Sequence, residues 1–169
     1  LVRVVDTTAP VVTLTGEETL EIECGGALED PGATAADNCD GELTVAVTGE
    51  VLTGAPGEYH LVYNAADAAG NVAVTIMRTV NVIDTTIPEI TLLGADPLAL
   101  ECGEAPGLDA AASDSCGGDL TGAVVVGGSM NIGSAVGSFT QTFNVMDASG
   151  NAAVEVARTV NVEDATAPV

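Results

Sequence analysis

The pentapeptide Asp6-Thr7-Thr8-Ala9-Pro10 returns as Asp84-Thr85-Thr86-Ile87-Pro88 and again as Asp164-Ala165-Thr166-Ala167-Pro168, at spacings of 78 and 80 residues. Self-similarity at a fixed period means one structural unit per repeat, so the chain must build the same small fold twice. The register holds inside the unit. Cys24 answers to Cys102, Cys39 to Cys116, and Tyr63-Asn64-Ala65-Ala66-Asp67-Ala68-Ala69-Gly70-Asn71 to Phe143-Asn144-Val145-Met146-Asp147-Ala148-Ser149-Gly150-Asn151. Residues 1–5 (LVRVV) align with the end of a unit and residues 164–169 with the start of one. The expected organisation is therefore an end strand of a preceding repeat at 1–5, domains at 6–83 and 84–163, and the start of a further linker or repeat at 164–169, a slice of a longer array.

Each unit reads as all-β. Short runs rich in Val, Thr and Ile alternate with polar residues and are punctuated by Gly, Pro, Asn or Asp, with no helical period. In Leu20-Glu21-Ile22-Glu23-Cys24 the apolar residues share one face and the glutamates the other, as a half-buried strand requires. Leu98, Leu100 and Cys102 repeat the pattern. The segments 59–67 and 71–82 predict two strands around Ala68-Ala69-Gly70, where glycine supplies the positive φ of a tight turn; Ala148-Ser149-Gly150 predicts the same in the second unit. About seven short strands per unit suit a small two-sheet sandwich.

Composition narrows the function classes. The 169 residues carry 25 carboxylate side chains, three arginines, one histidine and no lysine, for a net charge of −22. Nucleic-acid binding needs basic patches to replace counterions and is excluded as a role for such a chain. No run approaches the ~18 apolar residues that suggest a bilayer span, so no membrane span is expected in this segment. Hydrophobic content of 47% argues against disorder, and two Tyr and two Phe leave the core aliphatic. Without lysine, Lys–Asn isopeptide crosslinks cannot form, so covalent reinforcement falls to cysteine.

Four cysteines allow three pairings. One pair per repeat makes Cys24–Cys39 and Cys102–Cys116 the symmetric choice, each closing a loop of ~15 residues worth about 3 kcal/mol on the chain-entropy estimate. Such bonds would point to an oxidising, extracytoplasmic setting. Free buried thiols are the alternative, and a zinc site is disfavoured because there is no Cys-x-x-Cys spacing and His60 is alone.

The runs DTTAPVVTLTG, ECGGALEDPGATAADNCDGELTV, PGEYHLVYNAADAAGN and RTVNVID resemble the bacterial immunoglobulin-like repeats related to hyalin (HYR) modules, over both units. The resemblance implies two tandem Ig-like β-sandwiches, end to end, in a secreted or cell-surface protein, acting as spacers rather than catalysts. The second unit departs from the first at Asp114-Ser115-Cys116-Gly117-Gly118-Asp119, against Asp37-Asn38-Cys39-Asp40-Gly41-Glu42. A ligand role for Asp40 therefore has no counterpart in the second unit.

Hard oxygen donors gather in the loops: Asp37 and Asp40 around Cys39, Asp67 and Asn71 around the hairpin turn, Asp84 at the junction, and Asp114, Asp147 and Asn151 in the second unit. In an end-to-end array the Asp147–Asn151 turn is expected near the junction that carries Asp84. Calcium accepts such a donor set, and clustered carboxylates repel one another unless a cation or solvent screens them. The competing reading is that Asp-x-x-Gly-Asn is an ordinary turn in which Asp and Asn bond their own backbone. None of the loops has the twelve-residue EF-hand pattern.

Arg78 and Arg158 occupy equivalent places, and Arg78 shares strand parity with Val74, Ile76, Val80 and Val82, so both point inward on paper. A buried guanidinium needs a carboxylate, which makes a structural ion pair the expectation and an anion or sugar contact the alternative. Tyr59 and Tyr63, like Phe139 and Phe143, stand four apart and face the core. Tyr59 follows Pro56-Gly57-Glu58 and resembles the tyrosine corner of Ig-like folds. No catalytic constellation emerges, since the second unit lacks histidine and carboxylate pairs are too abundant to be distinctive. The expected role is a non-catalytic stalk, fibre or matrix element whose partners are neighbouring repeats of the same chain. The alternatives are an adhesin module binding a surface glycan or protein, and a self-assembling extracellular filament subunit that contacts other copies.

Overall fold

The computed structural model describes residues 1–128 and 135–166. Ala167 and Pro168 of the third pentapeptide, and residue 169, lie outside the described residues. The chain divides into two compact units, Leu1–Asp84 and Thr85–Val169.

Unit 1 contains β1 (Val11–Leu14), β2 (Thr19–Glu23), β3 (Ala33–Asp37), β4 (Gly41–Leu43), β5 (Ala46–Thr48), β6 (Gly57–Asn64) and β7 (Ile76–Ile83). They form a three-stranded sheet in the order β1-β3-β4 and a four-stranded sheet in the order β2-β7-β6-β5. In the larger sheet β7 pairs antiparallel with β6 and parallel with β2, so Val80 lies between Tyr59 and Leu20. Alternation along β7 buries Arg78, Val80 and Val82 and leaves the residues between them half-buried. Val12, Ala35, Leu61, Tyr63, Ala65, Ala73 and Val80 form the core, an aliphatic filling around one buried ring.

Unit 2 repeats the plan with β8 (Glu89–Leu92), β9 (Leu98–Glu101), β10 (Ala110–Asp114), β11 (Gly118–Asp119), a single 3-10 turn at Thr121–Ala123, β12 (Val125–Gly128), β13 (Gly137–Asn144) and β14 (Val156–Glu163). Its sheets run β11-β10-β8 and β12-β13-β14-β9. Phe143 and Val160 are completely buried where Tyr63 and Val80 are in unit 1. Among the described residues, each unit is thus a two-sheet, seven-stranded sandwich of the Ig-like kind.

Three local expectations change. The strands around Ala68-Ala69-Gly70 are shorter than predicted, because the Asp67 amide bonds the Asn71 carbonyl and pairing beyond β6 shrinks to the single bridge Ala66–Val72. Regular pleating resumes only at Ile76, so Val74 is exposed rather than inward. Residues 1–5 form no strand, and Leu1, Val2, Val4 and Val5 are exposed. Their counterparts Val80 and Val82 are buried because β7 is paired on both sides, which residues 1–5 are not.

The disulfide expectation is also corrected. Cys24 and Cys116 are disulfide-bonded, whereas Cys39 and Cys102 are free and exposed, so neither Cys24–Cys39 nor Cys102–Cys116 is formed. Symmetry and loop length suggested those pairs, but the fold carries the two cysteines of a repeat to opposite ends of its sandwich. The Cys24 amide bonds the Ile83 carbonyl at 2.7 Å, where β7 exits. Cys39 lies on the turn between β3 and β4, beside Asp40, whose Oδ2 accepts the Ala68 amide of the hairpin that precedes β7. In unit 2 the Cys102 amide bonds the Glu163 carbonyl at the exit of β14. Cys116 donates to Asp114, whose carboxylate is within 4.8 Å of that of Asp147 on the hairpin before β14.

Candidate functional site

The turn between β3 and β4 is set by an aspartate. Asp37, almost fully buried at the end of β3, accepts the amides of Cys39 at 2.7 Å and Asp40 at 3.2 Å on Oδ1, a side-chain substitute for a backbone turn. This brings Asp37 and Cys39 against Asp6, and ligand atoms of the three lie within 4.8 Å of one another. Asp6 is the residue the sequence reading missed. It opens the repeat as Asp84 does, so the repeat register that pairs Asp6 with Asp84 could have found it. Its Oδ1 accepts the Thr8 amide at 3.0 Å, while Oδ2 is buried with no hydrogen-bond partner.

The electrostatics of this corner are those of clustered negative charge. Desolvation first, then the charges of Asp6, Asp37 and Asp40, push the Cys39 thiol up. The sulfur is thereby kept protonated, which suppresses its nucleophilicity and its use as a metal ligand. Asp6 and Asp37 are left as the oxygen donors of the cluster.

The other candidate ligands of unit 1 are engaged elsewhere. Asp40 accepts the Ala68 amide at 2.8 Å and ties the β3–β4 turn to the hairpin. Asp67 accepts the Asn71 amide at 2.8 Å on Oδ1 and the Asn71 side-chain amide at 2.6 Å on Oδ2. Burial works against its charged form, but hydrogen bonds from Asn71, Gly70 and Ala69 outweigh that and lower its pKa. Asp67 and Asn71 thus form a self-contained turn, which Asn71 extends to the Asp6 carbonyl at 3.5 Å. Asp84 is half-buried at the end of unit 1.

Unit 2 reproduces the pattern. Asp147 accepts the Asn151 amide at 2.8 Å and its side-chain amide at 2.9 Å, and its pKa is lowered by the same balance of burial against hydrogen bonding. Asp114 accepts the amides of Cys116 and Gly117, both at 2.7 Å, on Oδ1, and its Oδ2 is buried without a partner.

The two inward arginines tie the sheets together. Arg78, with no exposed surface, donates from Nε to the Glu17 carbonyl at 2.9 Å, from Nη2 to the carbonyls of Thr15 and Gly32, and from Nη1 to Asp30. Tyr63 lies under the guanidinium and donates its hydroxyl to Asp30 at 2.8 Å. Burial opposes the charge of Asp30, but the Gly32 amide, Tyr63 and Arg78 hold its carboxyl below the usual range. Arg158 donates from Nε to Gln141 at 2.8 Å and from Nη2 to Asp109 at 3.0 Å. Tyr59 donates to the Ala55 carbonyl at 2.9 Å in the manner of a tyrosine corner. His60 is near Glu58, at 3.4 Å on an exposed face.

A family model described as "Bacterial surface protein, Ig-like domain" matches the chain twice, over residues 12–82 and 90–162. No curated protein matches it. Among solved structures, the lipoprotein BT2262 from Bacteroides thetaiotaomicron is 34% identical over 46% of this chain and 39% of its own, with a TM-score of 0.41. A Clostridium perfringens ZmpB structure, of CBM51-2 in complex with GlcNAc and INT domains, is 29% identical over 46% of this chain and 16% of its own, with a TM-score of 0.39. The matches thus span well under half of either structure's length.

Proposed function

The chain belongs to the Ig-like domains of bacterial surface proteins, and from that premise we propose that it is a non-catalytic structural segment of a large extracellular protein, a stalk, fibre or matrix element. The observation that carries this reading is the use made of the acidic loops. Asp37, Asp67, Asp114 and Asp147 each accept backbone amides that shape a turn, and Asp30 neutralises a buried arginine. These carboxylates hold the sandwich together. A kinship with hyalin repeats is part of the same proposal. Binding of the purified protein to a glycan array should be absent, and saturable binding to a defined glycan would replace the spacer by an adhesin.

We further propose that calcium supplements unit 1 at Asp6 and Asp37. The donor set fits a hard cation, since carboxylate oxygens lie within 4.8 Å of each other and Asp6 Oδ2 is buried without a hydrogen bond. Bound calcium would supply positive charge among the clustered carboxylates of Asp6, Asp37 and Asp40. Asp6 and Asp37 would hold it, with Asp37 kept in place by the amides it already accepts. Thermal unfolding with about 2 mM calcium and with excess chelator tests this. A rise of several degrees that disappears in Asp6→Asn supports the site; coincident curves remove calcium and leave the spacer intact.

A further inference from the structure

We propose that the Asp30–Pro31 peptide bond of unit 1 is a latent self-cleavage site, broken in acid by the carboxylate of Asp30 and kept intact in the folded sandwich because Arg78 holds that carboxylate. Asp–Pro occurs twice in the chain, at Asp30–Pro31 in the loop between β2 and β3 and at Asp96–Pro97 in unit 2. An aspartate carboxylate can reach the carbonyl carbon of its own residue through a five-membered ring. The nitrogen of proline belongs to a tertiary amide and takes up a proton more readily than an ordinary peptide nitrogen. Together these make Asp–Pro the most acid-labile kind of peptide bond.

The step needs no reagent beyond water and a proton. One carboxylate oxygen of Asp30 attacks the Asp30 carbonyl carbon, and the C–N bond to Pro31 breaks. Its electron pair stays on the proline nitrogen, which is protonated from solvent. Water then opens the cyclic anhydride, leaving Asp30 as a new C-terminus and Pro31 as a new N-terminus. The cut separates β1 and β2 from the rest of unit 1, but β1 remains paired with β3 and β2 with β7, so the pieces part only when the sandwich opens.

Unit 1 withholds the nucleophile. Arg78, with no exposed surface on β7, donates from Nη1 to Oδ1 of Asp30, and Tyr63 on β6 donates its hydroxyl to the same oxygen at 2.8 Å. The Gly32 amide adds a third bond to it at 3.0 Å. Nη2 of Arg78 also donates to the Gly32 carbonyl at 3.2 Å, so one guanidinium fixes the side chain before Pro31 and the backbone after it. A carboxylate engaged by a cation is a poor nucleophile, and one drawn towards β7 is not free to turn over its own carbonyl. Arg78 and Tyr63 are the charged and titratable groups that face Asp30 among the described residues. Burial opposes the charge of Asp30, but the Gly32 amide, Tyr63 and Arg78 hold its carboxyl below the usual range, so the pair persists to lower pH than a free aspartate would. Asp96 has a different setting. It is exposed, and its Oδ1 accepts the Thr159 backbone amide at 3.0 Å, a neutral donor in place of a cation.

The test warms the 169-residue protein to just below its unfolding temperature at about pH 5, where aspartates are still largely ionised, in native buffer and in concentrated urea. Intact masses are read under reducing conditions. Fragments 1–30 and 31–169 report one bond and 1–96 and 97–169 the other, each pair summing to the parent mass plus one water. In urea the two bonds should break at similar rates, and Asp30→Glu, whose longer side chain cannot close the five-membered ring, should abolish the first pair of fragments. In native buffer cleavage at Asp30–Pro31 should fall about 100-fold below that at Asp96–Pro97, the scale set by displacing a reacting group by about 1 Å. Arg78→Met, where circular dichroism shows it folded, should bring Asp30–Pro31 up to the rate of Asp96–Pro97. Equal native rates at the two bonds, no cleavage at Asp30–Pro31 in urea, or a folded Arg78→Met protein as resistant as the parent would each overturn the proposal.

Discussion

The hydroxyl of Tyr63 lies 3.4 Å from Nη1 of the buried Arg78 and accepts its hydrogen bond, while donating its own proton to Asp30. The second repeat has lost this link. Phe143 replaces Tyr63, and Nη1 of Arg158 is buried with no hydrogen-bond partner. A ring without a hydroxyl fills the same space but leaves a charged N–H unsatisfied.

Exchanging the two rings should therefore have opposite signs. Tyr63→Phe is expected to cost about 1–2 kcal/mol in urea unfolding, and Phe143→Tyr to be neutral or to stabilise by up to about 1 kcal/mol. If both substitutions prove equally destabilising, the arginine–hydroxyl contact is not the reason for the difference between repeats.

Removing the guanidinium itself should be far more damaging. Arg78→Ala strands Asp30 and the carbonyls of Glu17, Thr15 and Gly32, and on the scale of broken buried pairs should cost about 3–5 kcal/mol. For a domain of ~80 residues that is a large share of total stability. Asp30→Asn, which keeps a hydrogen-bonding oxygen, should cost less. A fully stable Arg78→Ala protein would return Arg78 to the surface-contact role considered from sequence.

The pH dependence has two limbs. Asp30, Asp67, Asp119 and Asp147 have folded pKa values below their ordinary ones, so the unfolded chain binds protons first as pH falls. Their stabilisation is complete above about pH 4 and declines as pH drops through the folded values. Tyr63 behaves oppositely. Burial first, then the hydrogen bond and charge of Asp30, push its hydroxyl up to about 12. Unfolded tyrosine ionises near pH 10, so the stabilisation is full below about pH 10 and lost between there and the folded value. Circular dichroism of Tyr63→Phe should show this alkaline limb flattened.

Two glycines are fixed by geometry. Gly49 after β5 and Gly128 at the end of β12 have φ of +112° and +110°, and a Cβ would strike the carbonyl oxygen of His60 or Thr140 in the neighbouring strand. Gly49→Ala should cost about 1–3 kcal/mol, whereas alanine at Gly54, where the space is open and φ is not positive, should be tolerated. Equal losses at both positions would mean that backbone approach is not what selects glycine.

The fold was legible because its signals are local and repeated. Alternation along 76–83 and the turn glycine at 70 mark strands and hairpin without knowledge of anything distant. What was hidden depends on chain crossings. Strand parity directs Arg78 inward, but nothing nearby announces Asp30, 48 residues away, as its partner. The cysteines carried the same difficulty further. Fifteen residues apart in sequence, Cys24 and Cys39 look like a closed loop, and only the strand order, with β2 in one sheet and β3 in the other, sends them to opposite ends. Asp6 went unnoticed because its importance lies in what packs over it.

The burial of the arginines has a further effect, on digestion. With no lysine in the chain, trypsin-like proteases have only Arg3, Arg78 and Arg158 to recognise. Arg78 and Arg158 are sealed inside their sandwiches, and Arg3 alone is exposed. The folded protein offers such an enzyme one scissile bond, near its first residues, and the other two become cleavable only when a whole repeat opens. The same guanidinium that holds two sheets together also hides the sequence at which a common class of secreted protease would cut.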